Sequence, residues 1–330
     1  MRSHHAPTRC LLERFSFRDA GVRGKKKVWV YEKGSIPRAT SNFRGESAEH
    51  AYFAGSSDSA TEEEIEARLN QNYEAPFNAL LPSFDRDVHL FESKEVRRIC
   101  AEYVSNLFQR CKARREGANL LMTQEIHKIR EIARSGALLR LEAAKDSIFR
   151  RGPIYFDELK QAIEQQVEKA LSASEEQRRF VDDVDRSTKF LADQLQDLQW
   201  SILGSDSRTE FVISDTPVVS MAFDQKGGRK FGVGVRNPAA EWYLPIAPWR
   251  VLRMKHKLSP ERLSALHIRP AINMAQVLTS HRRVYSRSKS VEMDSLVQTH
   301  GSTYKFHVHV FKGSFDESTE SRFDQSFADV

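Results

Sequence analysis

Apolar residues change their spacing twice along this chain. Val28–Tyr31, "VWVY", is a β-branched and aromatic run and predicts a strand. Gly34 to Ser59 is rich in Gly and Ser and reads as loop. From Thr61 the spacing becomes helical. Thr61 precedes Glu62, Glu63 and Glu64, a cap followed by acids in the first turn, and Ile65, Leu69 and Tyr73 recur behind them. Pro76 ends or kinks that helix. Ser93 to Arg115 is the clearest helix, with one stripe of Val96, Ile99, Cys100, Tyr103, Val104, Leu107, Phe108 and Cys111. Helical spacing continues over Leu120–Phe149, Phe156–Leu171 and Glu175–Leu198, interrupted by Gly152-Pro153.

Near Trp200 the texture shifts again. "WSIL", "EFVIS", "PVVSMAF", "FGVGVR", "WYLPIAP" and "VLRMKH" are short β-rich runs between turn residues. Helices are expected around Pro260–Leu266 and over Ala271–Thr279, and "YKFHVHVF" alternates as a last strand. The predicted class is α+β: an N-terminal strand, a central helical block over about 61–198, and a mostly antiparallel sheet over about 199–312. The helical stripes need covering, so residues 1–312 are expected to form one compact domain. An acidic tail over 313–330 is expected to be disordered.

Composition narrows the setting. The 330 residues are 40% hydrophobic and 29% charged, ordinary for a globular protein. The formal charge of +6 is uneven: Lys94 to Arg151 holds 14 Lys/Arg against 7 Asp/Glu. Such a segment attracts nucleic acid, or is the solvated face of long helices. Cys10, Cys100 and Cys111 have no metal or redox spacing. The last two lie about 16 Å apart on one helix, too far for a disulfide. With no signal-peptide region and no long apolar stretch, a cytoplasmic protein without a membrane span is expected.

Candidate chemistry rests on a few polar residues. His4 and His5 are potential metal ligands or bases anchored by Leu11, Leu12 and Phe15; the alternative is a solvated terminus. Asp215 follows Phe211-Val212-Ile213 and precedes Thr216-Pro217. A carboxylate at a strand end suits a ligand or catalytic acid, and equally a turn that caps backbone N–H groups. Arg110 falls near the side of its helix that carries Tyr103. There it calls for a carboxylate (Glu74, Glu66 or Asp215) or an anionic ligand. His307 and His309 share one face of the last strand. "GGRKFGVGVR" lacks a dinucleotide fingerprint and reads as a hairpin turn. No P-loop, G-x-S-x-G, zinc or kinase signature is present.

The order of these pieces resembles a bacterial family known as domain of unknown function 4238. "SHHAPTRCLLERFS" resembles its HHYVPQFLLRxF opening, "KVWVYEK" its W-x-Y/D strand, and "IEARLNQNYEAPFNALL" its acidic helix. Arg110 in "YVSNLFQRCKARR" resembles its helix-borne arginine. "WSIL…FVISDTPVV" is similar to its W…F-x-T/S-D-N-P-V segment, "WYLPIAPWRVL" to its F-P-L-S-P run, and "NMAQVLTSHRRVYS" to its N…R-x-V/I-Y element. Two departures stand out: Ala6-Pro7-Thr8 replaces Tyr-Val-Pro, and Thr216 replaces Asn. The resemblance implies a shared fold and a shared polar set of His4, His5, Glu74, Arg110, Asp215 and Asn273. The expectation is that these meet in one pocket. A metal-assisted phosphoester hydrolase acting on nucleic acid would use Asp215, Glu74 and His4 as ligands for Mn²⁺ or Mg²⁺. His5 and Asp215 would act in catalysis, with Arg110 as the anion clamp and Asn273 and Arg283 as binding residues. The alternative is a non-catalytic nucleic-acid or protein binding module with a buried His/Asp/Arg network.

Overall fold

A computed structural model of the chain describes residues 3–5, 7–18, 24–50, 62–86, 89–111, 161, 165, 187–204, 210–223, 229–257 and 265–301. Its first elements are β1 (Ser3–His5), α1 (Arg9–Arg14), β2 (Phe17–Arg18), β3 (Lys26–Glu32), β4 (Arg38–Thr40), α2 (Phe43–Ser47) and β5 (Ala48–His50). Next come α3 (Glu62–Leu69), a π-helical turn (Asn70–Glu74), α4 (Ala75–Leu80) and α5 (Lys94–Arg110). Helical residues 187–196 precede β6 (Gln199–Gly204), β7 (Ile213–Ser214), β8 (Val219–Phe223), β9 (Arg229–Phe231), β10 (Ala240–Ala247) and β11 (Arg250–Lys255). The described chain closes with α6 (Ala265–Thr279), β12 (Arg283–Ser286) and α7 (Val291–His300). The class is α+β, as the sequence implies.

All strand pairing between these elements is antiparallel. The larger layer runs β6-β11-β10-β8-β9. A second sheet runs β2-β3-β12-β7, with β4 beside β3. β1 and β5 form a separate ladder in which His5 stands opposite Ala48 and His4 opposite Glu49. In the second sheet Tyr285 of β12 lies opposite Val30 of β3, and Val284 lies opposite Ser214 of β7. β12 thus ties the N-terminal strand to the Ser214-Asp215 turn.

The strand β10 explains why its sequence is apolar without alternating. Every residue from Ala240 to Ala247 is buried. Side chains alternate across a strand, and here both faces are covered. Trp242 meets Phe108 of α5 edge-on at 4.8 Å. Tyr243, on the other face, packs with Ile268 and Ile272 of α6. Each such buried aromatic or branched side chain contributes about 1.5–3 kcal/mol. α5 begins where Ser93 accepts the Val96 N–H at 3.4 Å and buries its predicted stripe, including Cys100, Tyr103, Val104 and Leu107.

Four local expectations change. The stretch Gly34–Ser59 was expected to be loop, yet it contains β4, α2 and β5. These elements are short and carry little periodic signal. They form because β4 and β5 find partners in β3 and β1, and Asn42 Oδ1 accepts the Gly45 N–H at 2.9 Å at the start of α2. The expected break between Leu266 and Ala271 is absent, because α6 runs through Pro270. Pro76 neither ends its helix nor bends it as a simple kink; it follows a π-helical turn. α7 is an element that the sequence pattern did not reveal, capped by Ser290, whose Oγ accepts the Met293 N–H at 3.1 Å. The helix over 120–149, that over 156–171 apart from residues 161 and 165, the strand with His307 and His309, and the tail over 313–330 lie outside the described residues. Among the described residues, no helix is long and apolar enough to cross a membrane.

Candidate functional site

Glu74 and Arg110 meet because a proline alters the helix between α3 and α4. Pro76 has no N–H, so the Asn72 carbonyl lacks its usual partner four residues on. The register lengthens: the Ala75 N–H bonds the Asn70 carbonyl, five residues back. Such π turns insert a residue into the helical register and occur often at functional sites. Glu74 ends this turn, and its Oε1 accepts from Arg110 Nη2 at 2.6 Å. The arginine side chain is 3% exposed and the glutamate 19%.

The N-terminal segment closes over this pair. Thr8 Oγ1 lies 2.7 Å from Tyr103 Oη and 3.0 Å from Cys10 Sγ. Phe77 of α4 stacks on Tyr103 with ring centroids 3.8 Å apart. Burial pushes the Tyr103 hydroxyl well above its ordinary pKa. Burial also raises the Cys10 thiol, and the Glu74 charge adds to that. Cys10 is therefore held as the thiol, which is the unreactive form.

Asp215 belongs to a different cluster. Its Oδ1 accepts the His281 N–H at 2.8 Å, and its Oδ2 accepts those of Arg282 and Arg283 at 2.8 and 2.9 Å. Its own N–H bonds the Arg283 carbonyl at 3.0 Å. The side chain thus stitches the end of β7 to the start of β12. The residue keeps some surface, but its carboxyl group is enclosed, and burial lifts its pKa above the ordinary value despite the three donors. Nearby, Arg283 Nη1 donates to the Glu46 carbonyl at 2.6 Å, and Tyr285 Oη donates to the same oxygen at 3.0 Å. Arg38 grips the Glu46 carboxylate with two bonds of 2.5 and 2.7 Å. The Arg282 guanidinium pairs with Glu32. Burial pushes the Tyr285 hydroxyl far up, and the Asp215 and Glu46 charges act in the same direction.

The predicted residues therefore sort by partner. Arg110 takes Glu74 from its three predicted carboxylates. Asp215 takes backbone donors, and Arg283 takes Glu46. Asn273 on α6 accepts the Val212 N–H at 3.1 Å and donates to the Glu210 carbonyl at 2.9 Å, so it clamps the segment before β7. The main chain of His4 and His5 lies in β1, beside β5, the strand that follows Glu46 in sequence; their side chains lie outside the described residues, as does that of Glu66. Among the described residues, no group of three His, Cys, Asp or Glu is close enough to hold a metal ion.

Sequence reasoning missed Glu46, because it stands in a stretch expected to be loop. It also passed over Glu241 and Arg253. These pair across β10 and β11, with Arg253 Nε 2.9 Å from Glu241 Oε2, and Tyr243 Oη donates to the same carboxylate. A charge inside each of two apolar β runs was the available signal.

The His-His opening, Glu74, Arg110, Asp215 and the Arg283–Tyr285 strand all fall within residues 3–290, a span that matches a family described as a protein of unknown function (DUF4238). The chain belongs to DUF4238. No curated protein and no solved structure matches it. In this DUF4238 chain the distinctive polar residues occupy the seams between elements. Glu74 and Arg110 join the π turn to α5, Asp215 joins β7 to β12, and Asn273 joins α6 to the chain before β7.

Proposed function

We propose that this DUF4238 chain is a non-catalytic nucleic-acid-binding module whose buried polar residues hold the scaffold. One observation carries the reading: both carboxylates assigned to a metal, Glu74 and Asp215, are bonded to donors of the chain itself. A metal would have to compete with a guanidinium at one and with three N–H groups at the other. The net charge of +6 and the pI of about 9.1 favour a polyanionic partner.

The arginines in the described part of the basic segment are already engaged. Arg98 is bonded to Glu95 and Glu102, Arg97 to the carbonyls of Phe91 and Glu92, and Arg110 to Glu74. Binding is therefore expected to draw on cations elsewhere.

The test is fluorescence anisotropy with labelled single- and double-stranded DNA and RNA, in Mn²⁺, in Mg²⁺ and in EDTA, followed by gel analysis of the same oligonucleotides. Saturable binding that persists in EDTA, with full-length oligonucleotide recovered, is expected. Metal-dependent cleavage that disappears in Asp215→Asn would overturn the reading and support the phosphoester hydrolase.

A further inference from the structure

Two cations that stand two residues apart each cover a tryptophan. The Arg287 guanidinium lies over the Trp249 ring, 5.3 Å from its centroid. The Lys289 ammonium lies over the Trp29 ring at the same distance, 5.3 Å. Trp29 is also stacked by Phe17, with centroids 6.1 Å apart and planes within 11°. Trp249 is 39% exposed, one of four exposed large hydrophobic side chains among the described residues. Trp29 and Phe17 are half-buried.

The segment between these cations is fixed. Glu210 Oε2 accepts the Ser288 N–H at 3.1 Å, and Oε1 accepts from the Ser288 hydroxyl at 3.0 Å. The turn that carries Trp249 is tied to the same place, because the Phe211 N–H bonds the Pro248 carbonyl at 2.6 Å. The result is one ordered strip: Trp249, Arg287, Ser288, Lys289, Trp29, Phe17. It sets two cations between aromatic rings that come from separate parts of the chain. Exposed Arg18 and Lys25 flank its Phe17 end.

From these two ring–cation pairs we propose that the strip binds single-stranded nucleic acid, with bases stacking on Trp29 and Trp249 and the backbone phosphates meeting Arg287 and Lys289. The inference rests on the nucleic-acid reading above and specifies its surface. Stacking on aromatic rings needs unpaired bases, since in a duplex the base faces are already covered. The cations that rest on the rings in the free protein are the groups that would turn to the phosphates. Single-strand binding combines base stacking on aromatic rings with cations along the backbone, and each Trp–cation pair here supplies both a π face and a charge. A membrane surface would also attract Trp and Lys. The strip, however, offers separated rings among polar groups rather than a continuous apolar face.

The experiment measures binding of the full chain to labelled oligo(dT), oligo(rU) and a duplex of equal length across a salt series. Single strands are expected to bind more tightly than the duplex. Trp249→Ala, which alters an exposed turn, should weaken binding roughly ten-fold. Lys289→Ala should lower the salt slope by about one ion. Trp29→Ala should weaken binding further, and circular dichroism checks that it folds. If the wild type binds oligonucleotides and neither Trp249→Ala nor Lys289→Ala changes affinity or slope, the strip is overturned while the nucleic-acid reading stands. If the wild type binds no oligonucleotide, both fall, including the case in which phosphatidylserine vesicles are bound instead.

Discussion

Asp215 and Glu74 are both enclosed carboxylates in seams of the fold, but they are satisfied in opposite ways. Asp215 accepts three consecutive backbone N–H groups from residues 281–283. Glu74 meets one guanidinium at the end of a long side chain on another helix. The first arrangement is set by a turn, and every donor is fixed by the strand that follows. The second requires two flexible side chains to be immobilised, at an entropic cost of up to about 2 kcal/mol each. The comparison teaches that one short acid can organise a strand junction alone, whereas a buried ion pair depends on both of its partners.

The largest effect should come from the backbone-held carboxylate. Asp215→Ala leaves the N–H groups of residues 281–283 without their acceptor, and each hydrogen bond to a charged group contributes about 1.5–3 kcal/mol. A loss of about 4 kcal/mol or more is expected in urea unfolding. An unchanged midpoint would show that water replaces the carboxylate at no cost, and would end the distinction.

The ion pair comes next. Arg110→Ala should cost about 3 kcal/mol, because it strands a partly buried glutamate. Adding Glu74→Gln should recover part of that loss. A double variant no more stable than Arg110→Ala alone would mean that the two residues do not act as a pair.

A smaller, pH-dependent effect belongs to Asp215. Burial raises the folded-state pKa of Asp215 above the ordinary 3.8. Between those two values the folded state holds more protons than the unfolded state. Its contribution is therefore fully present below about pH 4 and lost as pH rises through the folded value. The stability gap between wild type and Asp215→Asn should narrow from about pH 4 to pH 7. A gap that widens over that range would place the hydrogen bonds, not burial, in control.

Tyr103→Phe removes the bond to Thr8 beside the Glu74 cluster and should cost about 1 kcal/mol. Arg98→Ala, whose ion pairs with Glu95 and Glu102 face solvent, should leave the unfolding midpoint within error. A substantial loss there would show that surface pairs matter as much as buried ones in this chain.

Much of this was legible in the sequence, for identifiable reasons. The α5 stripe and the β3 run are periodic over enough residues to declare themselves. Arg110 sits near the same face as Tyr103, so a buried carboxylate partner could be anticipated, and Glu74 was among those named. The Asp215 turn was anticipated as one of two readings, because Asp before Thr-Pro suits both a ligand and a cap. Glu46 was illegible. Its helix has five residues and no apolar period, and its partners Arg38 and Arg283 come from opposite ends of the chain.

Sequence alone determined the local chemistry of the long periodic segments, α5 and β3 among them, and where a proline removes a hydrogen bond. Those outcomes follow from propensity, spacing and capping, which act over a few residues. Only the tertiary structure decided which charges meet. Arg283 finds Glu46 and Arg287 finds Trp249 because β12 inserts between β3 and β7. Asp215 becomes a junction because the turn before β12 delivers three N–H groups to it. Such pairings depend on strand order and register, which long-range packing selects and no local pattern encodes.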